Sequence, residues 1–151
     1  TLFNPEADIY GAGWNIVQSK IAVGSGGLTG KGYLQGTQSQ LNFIPESHSD
    51  FIFAVIAEEF GLLGVVLLFL LYGLLIYRLL LVSFLSSNRF AKIVSGTLSI
   101  VLLAYISINI SMVIGLLPVV GMPLPFISQG GTALIVNMFT IGIILSLRKE
   151  A

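Results

Sequence analysis

A nearly uninterrupted apolar run over residues 51–85 most constrains what this chain can fold into. Its only charged residues are Glu58, Glu59 and Arg78. A helix needs roughly 20 apolar residues to cross a bilayer. The run exceeds that length, so we expect a helix that tilts or whose first turns project above the hydrocarbon, which would bring Glu58 and Glu59 toward the surface. Only 9% of the chain is charged, against about 25% in soluble domains, and we therefore expect an all-α integral membrane protein.

Two further apolar stretches follow, at 93–114 and 128–147. The segment between them, 115–127, contains three prolines and cannot form a continuous helix, because proline lacks the backbone N–H and clashes with the preceding turn. We therefore predict three transmembrane helices, at 51–85, 93–114 and 128–147, with a proline-rich loop between the second and the third.

The basic residues predict the orientation of these helices. Cytoplasmic loops are enriched in lysine and arginine, and such residues border the loop at 86–92 and the tail at 148–151. Those two segments are expected in the cytoplasm, which places segments 1–50 and 115–127 together on the outer face. Two polar segments on one side of the same helices form a candidate extracytoplasmic site. The basic residues concerned are Arg78, Arg89, Lys92, Arg148 and Lys149.

Segment 1–50 is polar and rich in glycine. An interrupted apolar pattern near 14–23 predicts one short amphipathic helix at the membrane interface, with Trp14 as its anchor. The segment has no initiator methionine and no basic stretch followed by a short apolar core. We therefore expect no signal peptide and interpret the chain as a piece of a longer membrane protein.

The glycine-rich stretch 24–36 predicts a loop. It resembles a nucleotide-binding P-loop only superficially, because Ser25 stands where that motif needs its first glycine and Gly32 where it needs serine or threonine. We therefore reject a nucleotide site. Two hypotheses stay open: a flexible loop, or backbone N–H groups that contact a phosphate together with Lys31.

Asp50 is the main candidate for chemistry, because it stands where the polar segment meets the first membrane helix. Ionisable groups at a membrane boundary are costly and are functional candidates by default. A carboxylate between water and apolar walls can act as a general base, although capping of the helix N-terminus by Ser49 or Asp50 explains it equally well. Glu58 and Glu59 diverge by about 100° around a helix, so at most one of them lines a site with Asp50. A buried, hydrogen-bonded carboxylate is the alternative role for both.

Metal chemistry has weak support in the sequence. One histidine, His48, with scattered carboxylates is not a zinc pattern. A divalent cation such as magnesium or calcium, held by oxygen ligands from Asp50 or Glu46, stays open. The chain has no cysteine, which excludes disulfides and thiolate sites within it. Its net charge of zero gives no indication of a nucleic-acid partner.

Several long motifs, in the right order, closely resemble those of the SEDS family. The motifs occupy 18–27, 36–40, 45–59, 109–110 and 116–128. The Gly-Thr-Gln-Ser-Gln run at 36–40 and the Pro-Val-Val-Gly run at 118–121 are more similar to the RodA branch than to the FtsW branch. The resemblance implies a multi-pass helical bundle, of which this chain represents the large extracytoplasmic loop and the last three transmembrane helices.

The same resemblance implies a peptidoglycan glycosyltransferase in the bacterial cytoplasmic membrane. Such enzymes polymerise lipid II into glycan strands on the extracytoplasmic face and release undecaprenyl pyrophosphate. RodA-like members act in cell-wall elongation and rod shape, together with a class B penicillin-binding protein, which is a transpeptidase, and the rest of the elongation machinery. Lipid II and membrane lipid are thus the expected ligands, and no nucleic acid is expected.

The resemblance also assigns roles to residues. The family's essential loop aspartate corresponds to Asp50, the expected base or essential carboxylate, and Lys20 and Lys31 are candidates to compensate the charge of the leaving pyrophosphate. The lipid tail requires an apolar groove between helices. At 128–131 the chain has Ser-Gln-Gly-Gly where the family usually has Ser-Tyr-Gly-Gly, so a contact that depends on the tyrosine ring is in doubt. The other expected substrate-binding residues are Gln38, Gln40, Glu46, His48, Glu58, Ser128 and Gln129.

Two other functions compete with this hypothesis. A lipid flippase or transporter would explain the proline-broken segment, with Glu58, Glu59 and Asn109 along a polar path, but it requires polar groups near the bilayer midplane. A scaffold that docks a transpeptidase would tolerate replacement of Asp50. We expect the chain to be inactive in isolation, because three helices with many small and polar residues require neighbours.

Overall fold

The computed structural model describes residues 12–37 and 49–147, and this part of the chain is helical and contains no strand. The all-α expectation is therefore confirmed for these residues. The bundle is organised around α2 and α3, which share the most extensive contact; α1 packs mainly on α2, and α4 packs on α3. The helices are α1 (Ala12–Ser25), α2 (Ile52–Leu85), α3 (Arg89–Val113) and α4 (Gly131–Leu147).

A short connection joins α2 to α3, and small side chains let the two helices approach. Asn88 begins α3, and its side chain accepts a hydrogen bond from the backbone N–H of Phe90 at 3.0 Å. This cap makes the helix start earlier than the apolar pattern at 93 indicated. Across the interface, Ser83 Oγ lies 2.9 Å from where a Cβ on Gly96 would be. Small residues at such contacts are typical of membrane helices, which cannot use hydrophobic burial against one another.

Two of the helices, α2 and α3, are long and apolar enough to cross a membrane. Large apolar side chains along them are widely exposed, among them Leu63 and Leu70 on α2 and Ile100 on α3. Contiguous apolar surface of this kind indicates contact with lipid or with further helices. Helix α4 is also apolar but shorter, and it ends at Leu147, where the described residues stop.

Helix α2 is broken at Gly61, which has φ 64° and ψ −158°. The sequence predicted an unbroken helix that tilts or projects. Glu58 and Glu59 are both buried in the last turn before the break, which agrees with the alternative role of a buried carboxylate, and their depth in a bilayer stays a prediction. Their burial has a clear cause, because the glycine-rich loop at 26–32 lies directly over this turn.

The loop at 26–32 replaces the hydrogen bonds that the break removes. In an unbroken helix the carbonyls of Glu58 and Glu59 would accept from the N–H groups four residues later. Here the loop donates to both carbonyls, and it accepts from the two freed N–H groups. The bonds are Lys31 N to Glu58 O and Gly32 N to Glu59 O, both 3.0 Å, with Leu62 N to Gly27 O at 2.9 Å and Leu63 N to Leu28 O at 3.2 Å.

These bonds count against both hypotheses for the glycine-rich stretch. The loop has a fixed backbone partner in α2, so a freely flexible loop is wrong. The backbone N–H groups of Lys31 and Gly32 donate to protein carbonyls, which leaves them unsuited to contact a phosphate. Gly24 and Ser25 belong to α1, so the loop begins later than predicted.

Glycine is required at three positions of this contact because a side chain there would overlap the facing backbone. A Cβ on Gly26 would overlap the carbonyl of Ala57, and a Cβ on Gly30 would overlap that of Glu59. On the helix side, a Cβ on Gly61 would overlap the backbone nitrogen of Gly30. Gly26, Gly30 and Gly61 therefore permit the close backbone approach between the loop and the break in α2.

Candidate functional site

Asp50 lies just before α2, against the proline-rich segment that follows α3. The residue at the N-cap of α2 is Phe51, which makes no side-chain capping bond, so the predicted N-cap at Ser49 or Asp50 is wrong. The Asp50 carboxylate is half-buried, and its Oδ2 lies 3.4 Å from where a Cβ on Gly121 would be. Gly121 has a φ of 69°, so the chain turns there with no side chain to cover the carboxylate.

A buried asparagine holds these two segments together. Asn109 lies in α3, and its Nδ2 donates to the backbone carbonyl of Asp50 at 2.9 Å and to that of Met122 at 2.6 Å. The sequence identified Asn109 as the polar residue of its span and as part of a transporter path, but gave no sign of these partners. Backbone carbonyls carry no side-chain signature, so pattern reasoning could not find this bridge.

Lys20 is placed at the same end of α3 by α1. The side chain of Ser19 on α1 lies 2.8 Å from the carbonyl of Val113, the last residue of α3. The next residue, Lys20, extends its ammonium group over Gly115, with Nζ 2.8 Å from where a Cβ on Gly115 would be. A cation near a helix C-terminus is favoured by the helix dipole. Asp50 and Lys20 thus both lie around the end of α3.

The proline-rich segment is fixed by its own hydrogen bonds. Tyr72 of α2 donates to the carbonyl of Pro125 at 2.6 Å, and Ser128 Oγ accepts from the N–H of Leu124 at 2.7 Å. The Ser128 hydroxyl therefore has a structural partner within the turn. Gln129, the expected neighbour at the substrate, is exposed to solvent. Tyr72 was not singled out by the sequence, since a tyrosine in an apolar helix has an ordinary packing role.

Lys31 and Glu58 form an ion pair with each other. Lys31 Nζ lies 2.7 Å from Glu58 Oε1 and 2.9 Å from Thr37 Oγ1, and the Thr37 hydroxyl lies 3.1 Å from the same Glu58 oxygen. The Glu58 side chain is fully buried, whereas Lys31 keeps 29% of its side chain exposed. This geometry gives both charges an internal partner and favours a role in holding the loop over a direct role at a pyrophosphate.

Removal of Lys31 is therefore expected to destabilise the protein. Lys31→Met leaves the buried Glu58 carboxylate without its counterion, which costs about 3 kcal/mol, the lower end for a broken buried pair because Lys31 is partly exposed. Glu58→Gln removes the buried negative charge itself, so it should lower the stability less than Lys31→Met does. Thermal melting of the intact protein in detergent should rank wild type above Glu58→Gln, and Glu58→Gln above Lys31→Met. Equal melting of Lys31→Met and wild type would contradict the pair.

Four expected substrate-binding residues lie outside the described residues: Gln38, Gln40, Glu46 and His48. Among the residues that are described, no group of three or more His, Cys, Asp and Glu side chains comes together as a metal site would require. The divalent cation suggested for Asp50 and Glu46 stays a prediction.

An apolar groove of about 680 Å³ runs between α3 and α4 up to the proline-rich segment. Gly121, in the proline-rich segment, is among the residues that line this groove, and the Asp50 carboxylate lies beside it. Its walls are mostly hydrophobic, with Leu102 on α3 and Val136 on α4 among the lining residues. A groove of this size and chemistry fits one or more segments of hydrocarbon chain.

Comparison with known proteins identifies the family of this chain. The model of the FtsW/RodA/SpoVE family, described as cell cycle protein, matches residues 1–151. The peptidoglycan glycosyltransferase MrdB of Escherichia coli is 56% identical over 149 residues, which cover 99% of this chain and 40% of MrdB. The peptidoglycan glycosyltransferase RodA of Treponema pallidum is 40% identical over 148 residues, covering 97% of this chain and 34% of RodA. The chain thus spans about two fifths or less of the length of these relatives.

Two solved structures share the fold. A chain from a peptidoglycan synthase complex, described as showing structural coordination of polymerization and crosslinking, matches with a TM-score of 0.80 and 27% identity, over 99% of this chain and 40% of that one. The crystal structure of an aspartate-to-alanine mutant of the rod shape determining protein RodA from Thermus thermophilus matches with a TM-score of 0.67 and 26% identity, over 91% of this chain and 49% of that one. With the family model matching along the whole sequence, the chain belongs to the FtsW/RodA/SpoVE, or SEDS, family.

Proposed function

We propose that the protein containing this chain is a peptidoglycan glycosyltransferase that polymerises lipid II, with Asp50 as the general base. The observation that carries the proposal is the position of the Asp50 carboxylate, half-buried beside Gly121 at the end of an apolar groove. A lipid-linked sugar needs a carboxylate at a polar boundary and an apolar path for its tail. The names of the relatives MrdB and RodA support the same activity.

The reaction needs a base that accepts one proton and a cation that compensates the negative charge of the leaving pyrophosphate. The acceptor sugar's hydroxyl attacks the anomeric carbon of the donor sugar, and Asp50 takes the hydroxyl proton as the new C–O bond forms. The bond from the anomeric carbon to the pyrophosphate oxygen breaks, and undecaprenyl pyrophosphate leaves with that electron pair. Lys20 is our candidate for compensating the pyrophosphate charge. A divalent cation such as magnesium, if held by Asp50 or Glu46, would supply further positive charge to stabilise the leaving pyrophosphate.

The remaining site residues are proposed to bind the sugars and the pyrophosphate around Asp50. Lys31 and Glu58 contribute indirectly, because their ion pair holds the glycine-rich loop over α2. Gln129 lies exposed beside the proline-rich segment, where its amide is available to a polar group of the substrate. The direct contacts are assigned to Gln38, Gln40, Glu46, His48, Ser128 and Gln129.

The site is proposed to face the extracytoplasmic side of the bacterial inner membrane. On that side we place segments 1–50 and 115–127, and we place 86–92 and 148–151 in the cytoplasm, with α4 as a third span. The partner is proposed to be a class B penicillin-binding protein within the elongation machinery. The peptidoglycan synthase complex that shares this fold, described as coordinating polymerization and crosslinking, supports this partner.

The tail of lipid II is proposed to occupy the groove between α3 and α4. Ala133→Phe, which places a ring in the groove, is then expected to raise KM for lipid II while kcat changes little. Met138→Phe, on α4 outside this groove, is the matched control and should leave KM unchanged. Steady-state polymerisation kinetics measure both. Loss of assembly in Ala133→Phe with normal assembly of the control would mean that the groove receives another helix instead of the lipid.

The experiment that tests the function is reconstitution of the intact protein with its transpeptidase partner in liposomes. Glycan chains made from lipid II are resolved on a gel, and movement of a fluorescent lipid II across the bilayer is followed in parallel. Polymer formation without transport supports the glycosyltransferase. Transport without polymer would replace it with the flippase, and neither activity in an assembled complex would favour the scaffold.

A further inference from the structure

Asn109 is the polar side chain that ties Asp50 to the proline-rich segment. It is fully buried in α3, one turn before the helix ends at Val113. Its Nδ2 donates to the carbonyls of Asp50 and Met122, at 2.9 and 2.6 Å. One amide therefore holds two segments that are distant in sequence, and one of these carries the proposed base.

Few side chains can donate a hydrogen bond to each of these two carbonyls at once. The carbonyl of Asp50 precedes the N-cap of α2, Phe51, and that of Met122 lies in a segment without regular structure. Backbone carbonyls outside a helix ladder are satisfied by a side-chain donor or by water, and here both accept from Asn109. The amide of Asn109 supplies two donor hydrogens, whereas a hydroxyl supplies one and an ionised carboxylate none.

The orientation of this amide is fixed by its surroundings. Reversal would place the Asn109 oxygen against two carbonyl oxygens, which repel it. In the observed orientation Oδ1 is buried and accepts no hydrogen bond from the described residues. The contacts to Asp50 and Met122 therefore depend on the donors of Asn109.

We propose that Asn109 is a positioning residue for glycosyl transfer, because its two donors fix Asp50 against the proline-rich segment at Gly121. The inference rests on the proposed function, since it requires Asp50 to be the base. A carboxylate that moves by about 1 Å relative to its substrate can lose about 100-fold in rate. Asn109 acts through the backbone of Asp50 and Met122. Loss of its donors should lower the rate of the chemical step most, with a smaller effect on lipid II binding because Met122 also lines the groove proposed for the lipid tail.

The test compares three variants of the intact protein in complex with its transpeptidase partner. Asn109→Leu keeps the size and removes both donors, Asn109→Asp keeps the shape and supplies at most one donor, when protonated, and Asn109→Gln keeps both donors. We expect about a 10- to 100-fold lower kcat for the Leu and Asp variants, a smaller change in KM for lipid II, and partial recovery in the Gln variant. Gel filtration establishes that each complex is assembled.

A spectroscopic readout separates positioning from general stability. Spin labels on Ser49→Cys and Val120→Cys, in a cysteine-free background, report the distance between the Asp50 segment and the proline-rich segment. We expect a narrow distance distribution in wild type and Asn109→Gln, and a broad one in Asn109→Leu and Asn109→Asp. If the Leu variant fails to assemble, the comparison of the Asp and Gln variants tests the positioning role of Asn109.

Full kcat and an unchanged distance distribution in an assembled donor-free variant would overturn the inference. Asp50→Asn is measured beside it, so that the two failures are distinguishable. A fully active Asp50→Asn would remove the proposed base itself. An inactive Asp50→Asn with a fully active donor-free Asn109 variant would remove only the positioning role.

Discussion

Asp50→Asn is expected to reduce lipid II polymerisation by the intact protein about 100- to 10,000-fold, the usual contribution of a general base. Asparagine has the size of aspartate and still forms hydrogen bonds, but its amide cannot take the proton of the acceptor hydroxyl. The contact that holds this segment uses the backbone carbonyl of Asp50, which the substitution leaves in place. The loss should therefore appear in kcat, in a complex that assembles normally.

Asp50→Glu is the matched control for this prediction. It retains a carboxylate but displaces it by one methylene, so activity should fall between wild type and Asp50→Asn. Glycan chains resolved on a gel, with assembly checked by gel filtration, measure all three proteins. An Asp50→Asn complex as active as wild type would make Asp50 a structural residue and reopen the scaffold hypothesis.

The sequence predicted the all-α class and the location of Asp50 just before the first membrane helix, because both depend on local composition. The apolar stretches at 51–85 and 93–114 are long enough to be recognised without tertiary information. The break in α2 was not predictable in the same way. A single glycine such as Gly61 is common in membrane helices, and the loop at 26–32 that stabilises the break lies far away in sequence.

The ion-pair partner of Glu58 was likewise not predictable from the sequence alone. The sequence left two alternatives for Glu58, an approach to the membrane surface or burial with a hydrogen-bond partner, since burial of an unpaired charge is costly. The glycine-rich loop changes that balance by covering Glu58 and bringing Lys31 to 2.7 Å from it. The sequence contains both charges, but which pairs form depends on the path of the loop.

Gly61→Ala is expected to destabilise the intact protein by about 4 kcal/mol, because two penalties act together. The φ of 64° and ψ of −158° lie in a region that is essentially restricted to glycine. The added methyl group would also overlap the backbone nitrogen of Gly30 and lie 2.9 Å from the carbonyl carbon and oxygen of Leu28. Relief of this overlap requires the loop to move away and the exchanged hydrogen bonds to break.

Gly73→Ala, in the same helix, separates this effect from the general cost of changing a glycine. A Cβ on Gly73 meets nothing within 4 Å, and alanine favours a helix over glycine, so this variant should melt at or slightly above the wild-type temperature. Thermal melting in detergent compares the two, and limited proteolysis within 26–32 reports release of the loop. If both variants melted alike and the loop stayed protected, α2 would be continuous through Gly61 in the intact protein. The backbone groups of the glycine-rich loop that now bond to α2 would then need another partner.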